Sequence, residues 1–386
     1  MPKIEVTIEK DILDWIISQE ELLSIDEQTL MLLKDWRDGK KRPTMAQIEK
    51  VSKKTRIPFG YFFLKQPPKE EFSLTEFRTV DSGLAPLASR NLQDVVAHME
   101  QVQAWMSQYY QANDYAPAAC VGCCAGASRP EPVVSSLREM LGVSIDWLVA
   151  GKFTATEEVF KCLRRALESC RVLVMMNGVV GNNTRRKLQV TEFRAFTLID
   201  KYAPLIFINT TDAITARVFS LIHEAAHIWI GRNSLYNLSN SSIQPVNKIE
   251  RLCNAVAAEF LVPETLFVRF WEEHMGHDLE QCIQTIAERF LCSREVIARR
   301  ALDCGFITSV EYGELIAKWK GQQEKNKQKS SGGNFYRTTQ SRLDPNFVIA
   351  LYRDTRAGRT MFTDAYRLTG LNRGNFDQLV SQLMRA

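Results

Sequence analysis

A chain of 386 residues is long for one domain, and 45% hydrophobic with 24% charged residues is the composition of a folded protein with a sizeable core. No apolar run approaches the roughly 20 residues that cross a bilayer. The first 25 residues lack the basic-then-apolar order of a signal peptide, so no membrane association is expected. The nine cysteines, odd in number and scattered, fit a reducing cytoplasm better than a disulfide framework, and a net charge of +4 excludes a polycation.

Residues 8–64 read as short helices. Asp26 can cap a helix carrying Leu30, Leu33 and Trp36, and Asp38-Gly39 breaks it. Pro43-Thr44 starts another with Met45, Ile48 and Val51 on one face, and Ile57-Pro58 stops it before the apolar plug Phe59–Leu64. Between Lys34 and Arg56 nine basic residues face three acidic ones. Such a stretch suits either a polyanion partner or a solvated helical face. Trp36-Arg-Asp-Gly39, Pro43-Thr44 with Ile48, and Ile57-Pro58 with the plug resemble the later helices of a Cro/repressor-type helix-turn-helix domain. Residues 1–68 are therefore expected to form a helix-turn-helix-like module whose candidate partners are DNA or a toxin.

Residues 69–130 read as a polar linker with an extended piece at Phe77–Val80, a long helix over 87–113, and a loop of small residues. In that loop, Cys120-Val-Gly-Cys123-Cys124 has no second Cys or His pair at zinc-finger spacing, so small buried residues are expected there. Val133–Leu141 and Ala155–Leu167 read as helices. The pattern then changes to strand candidates at Arg171–Met176, Lys187–Val190, Phe193–Leu198 and Leu205–Asn209, with Asn177-Gly178 and Asp200–Pro204 as turns.

The chemistry sits just beyond. His223-Glu224-Ala225-Ala226-His227 places two imidazoles one helical turn apart, so both can hold one divalent metal and the Glu between them can activate a water. Leu221, Ala225, Ile228 and Trp229 follow an apolar stripe up to Gly231. The bland alternative is a helix with ordinary polar histidines at the edge of a core. Strands followed by this helix place the site beside a sheet edge, with which an extended substrate could pair.

A catalytic zinc usually takes three protein ligands. The next helix, expected over Asn247–Leu261 with Pro263 stopping it, offers Glu250 and Glu259. Nine residues put them about 900° apart, half a turn out of phase, so both cannot face one metal. Glu250, on the side of Asn254, Ala257 and Leu261, is the preferred third ligand; Glu259 reads as a surface carboxylate. Tyr236, His274 and His277 are candidate donors to an oxyanion. Helix continues to Lys320. A Gln/Lys/Ser/Gly-rich linker follows over 321–340, and 341–386 form a small C-terminal module.

The pentapeptide around Glu224 is preceded by Ile208-Asn209-Thr-Thr-Asp212 and Arg217-Val-Phe219, and followed by Glu250, Asn254, Ala257-Ala258 and Pro263. These residues, with Phe193-Arg194-Ala-Phe196 and Ala203–Asn209, resemble the ImmA/IrrE family of metallo-endopeptidases over roughly residues 135–265. In that family the first Glu of the second helix is the third ligand, which maps to Glu250. The resemblance implies an α+β fold, mainly helical, with a zincin-like sheet-plus-helix metallopeptidase core at 131–320.

It also implies one zinc ion per chain, held by His223, His227 and Glu250, with Glu224 as general base. The expected function is cleavage of a specific protein partner, a transcriptional repressor, inside the cell. The alternative is a DNA-binding or antitoxin-like regulator whose metal site is inactive or structural.

Overall fold

The computed structural model describes residues 5–18, 25–55, 57–68, 88–236, 248–274, 276, 278–325 and 341–385. The extended piece expected at Phe77–Val80 and the linker from 326 to 340 lie outside them. The fold is mainly helical α+β, in two compact units, residues 1–96 and 97–386.

The first unit holds α1 (Lys10–Ser18), α2 (Glu27–Arg37), α3 (Met45–Thr55) and a single 3-10 turn (Phe59–Phe63). Asp26 caps α2, accepting from the Thr29 amide at 2.9 Å. Thr44 and Gln47 cap α3 reciprocally, the Gln47 side chain accepting from the Thr44 amide and the Gln47 amide donating to the Thr44 hydroxyl. Ile12, Leu13, Ile16, Leu33, Trp36, Ile48, Val51 and Phe62 stand in the core, three of them from α1 and two from each of the helices anticipated from the sequence. Arg37, Lys40, Lys41 and Lys53 pair with Asp38, Asp35 and Glu49 of the same stretch, and Lys54 pairs with Asp26 outside it, so most of the positive excess between Lys34 and Arg56 remains.

The helix α4 spans Arg90–Ala112. The second unit continues with α5 (Pro130–Leu141) and α6 (Thr156–Ser169), then the strands β1 (Leu173–Asn177), β2 (Val179–Val180), β3 (Asn183–Lys187), β4 (Ala195–Leu198) and β5 (Leu205–Asn209). Next come α7 (Ile214–Ile230), β6 (Ser234–Tyr236), α8 (Lys248–Leu261), α9 (Glu264–Glu273), α10 (Leu279–Arg289), α11 (Arg294–Asp303) and α12 (Ser309–Lys325). The chain ends in α13 (Pro345–Arg356), α14 (Phe362–Thr369) and α15 (Arg373–Leu383).

The four-stranded sheet has the order β1-β5-β4-β6, with β1 parallel to β5 and the other pairs antiparallel. Strand alternation sends Ala195, Ile206 and Ile208 into the core that surrounds α7, while Phe196 and Phe207 stack on the opposite face at 5.0 Å. Two strands differ from expectation. β1 begins at Leu173 because Arg171, with φ of 63°, and Val172 still donate to the last carbonyls of α6. The expected strand at Lys187–Val190 lies earlier, at Asn183–Lys187, paired with β2 in a hairpin that turns on Gly181. Its β3 strand is polar along its length, so no apolar alternation marked it. Helix α12 also extends to Lys325, five residues into the expected linker.

The C-terminal helices join the sheet at β1. Asp344 is fully buried; it caps α13 by accepting from the Phe347 amide at 3.0 Å and also accepts from the Val174 amide at 3.1 Å. Arg164 donates to the carbonyls of Val174, Ser341 and Leu343 and pairs with Glu168 at 2.7 Å. Burial, together with the Asp344 charge, pushes Glu168 up to about 7, against the pull of Arg164.

Asp344→Ala is expected to cost about 2–4 kcal/mol, from one lost cap and one buried strand amide left without an acceptor, read by urea unfolding. Glu168 sets a pH dependence of the opposite sign to that of an ordinary paired carboxylate. Its folded value lies above its unfolded one, so its contribution is full below the unfolded value and is lost as pH rises through about 7. Glu168→Gln should therefore flatten the fall in stability between pH 5 and pH 8; an unchanged fall would contradict this assignment.

Candidate metal centre

Helix α7 is buried along its last ten residues, Leu221 to Ile230, on every side. A helix with no polar face belongs inside a core, and its ends must be satisfied by other parts of the chain. At its start, Asp212 accepts from the Ala213 amide and pairs with Arg194 at 2.6 Å, while Arg217 donates to the Asp212 carbonyl. Asn209, also buried, ties the turn that leads in, donating to the Phe193 carbonyl and accepting from Thr211.

At its end, Gly231 and Arg232 both donate to the His227 carbonyl. Gly231 takes φ of 78°, and a Cβ there would stand 3.3 Å from the Gly122 Cα, so the position requires glycine twice over. The close approach lets the turn at 120–125 cover the last carbonyls, Gly122 donating to Ile228 and Cys124 to Trp229. In this turn Cys120 is buried, Cys124 half-buried and Cys123 exposed, which corrects the expectation of three buried thiols. None of them belongs to a metal-holding group among the described residues.

His223 and His227 turn their Nε2 atoms toward each other at 3.2 Å. Glu250, in the first turn of α8, completes the group: its Oε2 lies 3.3 Å from His223 Nε2 and its Oε1 3.3 Å from His227 Nε2. The three residues form the one group among the described residues whose ligand atoms could together hold a metal ion. Ligands that sit about 2.0–2.1 Å from one tetrahedral centre lie about 3.3–3.4 Å apart. The separation of the two imidazole nitrogens, and of each from its nearer Glu250 oxygen, is of that size, and two imidazoles with a carboxylate suit zinc.

Burial opposes the charge on Glu250, yet its contacts with His223 and His227 hold the carboxyl well below the usual range. Burial likewise opposes the charge on His227, and hydrogen bonds with Cys253 and Glu250 raise the ring well above its ordinary value. Cys253 lies one turn beyond Glu250; burial pushes its thiol up, so it stands beside the site as a neutral thiol.

Glu224 is fully buried, and its Oε2 accepts from Thr197 Oγ1 on β4 at 2.5 Å. The same hydroxyl lies 3.2 Å from the Glu224 carbonyl. Thr197 was not singled out from the sequence. The signal was a lone hydroxyl in the apolar run Ala195–Leu198, at the strand position that alternation points toward α7.

Glu259 is directed elsewhere, as its phase on the helix required. It is a half-buried partner of Arg300 at 2.5 Å and not the surface carboxylate expected. Arg138 and Arg300 donate to carbonyls at the C-terminal end of α8 and beyond it, at Phe260 and Val262, fixing the helix that carries Glu250. Among the suggested oxyanion donors, the Tyr236 side chain and His277 lie outside the described residues. His274 is held to the Phe270 carbonyl at 2.8 Å and lines a surface cavity with Phe270, Ile286 and Arg289, apart from the three ligating side chains.

A mixed sheet, a buried helix bearing His-Glu-Ala-Ala-His and a carboxylate from the next helix together define a metallopeptidase-like domain. Residues 179–302 match the family model Peptidase M78, described as the IrrE N-terminal-like domain. Residues 343–382 match the model of a domain of unknown function, DUF8813. Neither a curated protein nor a solved structure matches the chain.

Thr197→Val removes the donor to Glu224 Oε2 at nearly constant volume. It is expected to destabilise the protein by about 1–3 kcal/mol in denaturant unfolding, the cost of leaving a buried acceptor without its partner, while Thr197→Ser loses far less. Equal stability of the valine and serine variants would remove the hydroxyl from this account.

Proposed function

We propose that the chain is a zinc-dependent endopeptidase that hydrolyses one specific protein partner, a transcriptional repressor. The observation that carries the reading is the face formed by His223 Nε2, His227 Nε2 and the Glu250 carboxylate, with the buried Glu224 carboxylate on the same helix. A site that only stabilised the fold would have no use for Glu224.

The residues divide the work. His223, His227 and Glu250 would hold the ion. Zinc, when bound, lowers the pKa of water and polarises a carbonyl. Glu224 takes a proton from the attacking water and delivers it to the leaving amine. Thr197 holds one oxygen of that carboxylate, which keeps the group in place as its charge changes. Burial of α7 excludes bulk water from this side of the site.

The choice of a repressor as substrate rests on the likeness of residues 179–302 to the IrrE N-terminal-like domain and on the helical unit that precedes it, with its basic stretch between Lys34 and Arg56. That unit is the proposed contact with the substrate, with DNA or with a toxin.

Metal analysis of the purified full chain tests the site. One zinc per chain is expected in the wild type and in Glu224→Gln, and a loss of most of it in His227→Ala and Glu250→Ala. Glu224→Gln should lower cleavage of a co-expressed repressor by about 100-fold or more. A wild type that takes up no zinc after add-back would sink the reading, and so would full cleavage by Glu224→Gln.

A further inference from the structure

Away from the three ligating side chains, an open cleft of about 620 Å³ lies where α4, α6 and α13 meet in the second unit. Tyr109 of α4 and Tyr115 just beyond it line one wall; Arg165 and Ser169 come from α6, and Asn346 and Arg353 from α13. The members on α6 are four residues apart and those on α13 seven, so each pair lies along one side of its helix. A cleft of this volume is the size that holds a small ligand.

Its aromatic wall is fixed in place. Arg171 takes φ of 63°, in the left-handed region that side chains disfavour. Its guanidinium donates to the Ala116 carbonyl at 2.6 Å and the Pro117 carbonyl at 2.8 Å, and lies over the Tyr110 and Tyr115 rings at 5.7 Å and 6.0 Å. The Tyr110 and Tyr115 rings meet at 4.9 Å, yet Tyr115 remains 44% exposed. Tyr109 is half-buried and stacked on Trp105 at 5.5 Å. Arg171 is thus an anchor that presents aromatic surface to the cleft.

The other two arginines are not used by the fold. Arg165 and Arg353 are exposed, and neither pairs with a carboxylate among the described residues. The carboxylates beside them in sequence are taken, Glu168 by Arg164 at 2.7 Å and Asp354 by Arg359 and the Thr360 hydroxyl, both at 2.6 Å. Arg165 acts on Glu168 through its charge without pairing with it. Asp114, exposed in the turn before Tyr115, does not line the cleft. Ser169 and Asn346 spend donors on the carbonyls of Arg165 and Glu168, so the two guanidiniums are the main donors left for an anion. Guanidinium forks match the oxygens of a phosphate, and tyrosine rings stack on the flat face of a base.

We propose that this cleft binds a nucleotide, its phosphate held by Arg165 and Arg353 and its base laid against Tyr115 and Tyr109. Such a ligand touches α6 and α13 together, so binding ties the C-terminal helices to the rest of the unit. It does not rest on the peptidase reading.

The test is calorimetric titration of the full chain with each of the four 5′-ribonucleoside monophosphates, and with inorganic phosphate and the matching nucleosides as separate arms. At least one nucleotide should bind with a Kd below about 1 mM and raise the midpoint of thermal unfolding. Phosphate alone and nucleoside alone should each bind about tenfold more weakly, or less tightly still. Arg165→Ala with Arg353→Ala should weaken nucleotide binding by about tenfold or more, and so should Tyr115→Ala. Tyr115→Phe should retain it, which separates a lost ring from lost folding. Arg373→Ala, exposed on α15 and outside the cleft, should leave it unchanged. No binding by any of the four at about 1 mM would overturn the proposal, as would undiminished binding in the double arginine variant. Inorganic phosphate that binds as tightly as the nucleotides would overturn the assignment of a base to the tyrosines.

Discussion

The structure depends on keeping a His-Glu-His cluster inside an apolar core. Three polar side chains on the buried stretch of one helix cannot be solvated, and an unpartnered buried charge costs several kcal/mol. Each must meet a group from another element: Glu250 from α8 for the two imidazoles, Thr197 from β4 for Glu224. The sheet and α8 therefore have to hold fixed positions around α7, and the remaining contacts serve that end. Gly231 against Gly122, Arg300 on the Val262 carbonyl and the Arg194–Asp212 pair each fix one end of a ligand-bearing helix without touching the ligands.

Electrostatics favour a metal at this face. The pull of the imidazoles on Glu250 and of Glu250 and Cys253 on His227 describe a pair that shares charge across a buried gap. A divalent cation would supply the positive charge that the His227 ring otherwise provides by holding a proton, and its binding releases protons from the ligands. The neutral thiol of Cys253 then offers a soft neighbour that does not compete as an anion.

Legibility in the sequence followed periodicity. The spacing of His223 and His227 and the half-turn offset between Glu250 and Glu259 are helical arithmetic, and α7, β5 and α8 could be read almost to the residue. The hairpin at 179–187 was misplaced because Asn183–Lys187 is polar on both faces and bears no alternation. Thr197 was invisible because its role comes from register, through its pairing with Ile206 on β5, and register is a tertiary fact. Several residues that carried the family resemblance, Asn209, Asp212 and Arg194 among them, prove to shape the turn into α7 and do not line the metal face. Two carboxylates that meet the basic stretch of the first unit, Asp26 on Lys54 and Asp14 on Arg37, lie outside it, beyond what local charge counting can see.

Strand β1 is an outer strand, and parallel sheets ordinarily leave such strands open to whatever chain comes next. Here its outward amide and carbonyl at Val174 are both taken, the amide by Asp344 and the carbonyl by Arg164. Two charged side chains thus occupy the positions at which a foreign strand would pair. The C-terminal segment therefore acts as a guard against sheet-to-sheet polymerisation, and a chain that lost it by proteolytic trimming would present a sticky, self-templating margin.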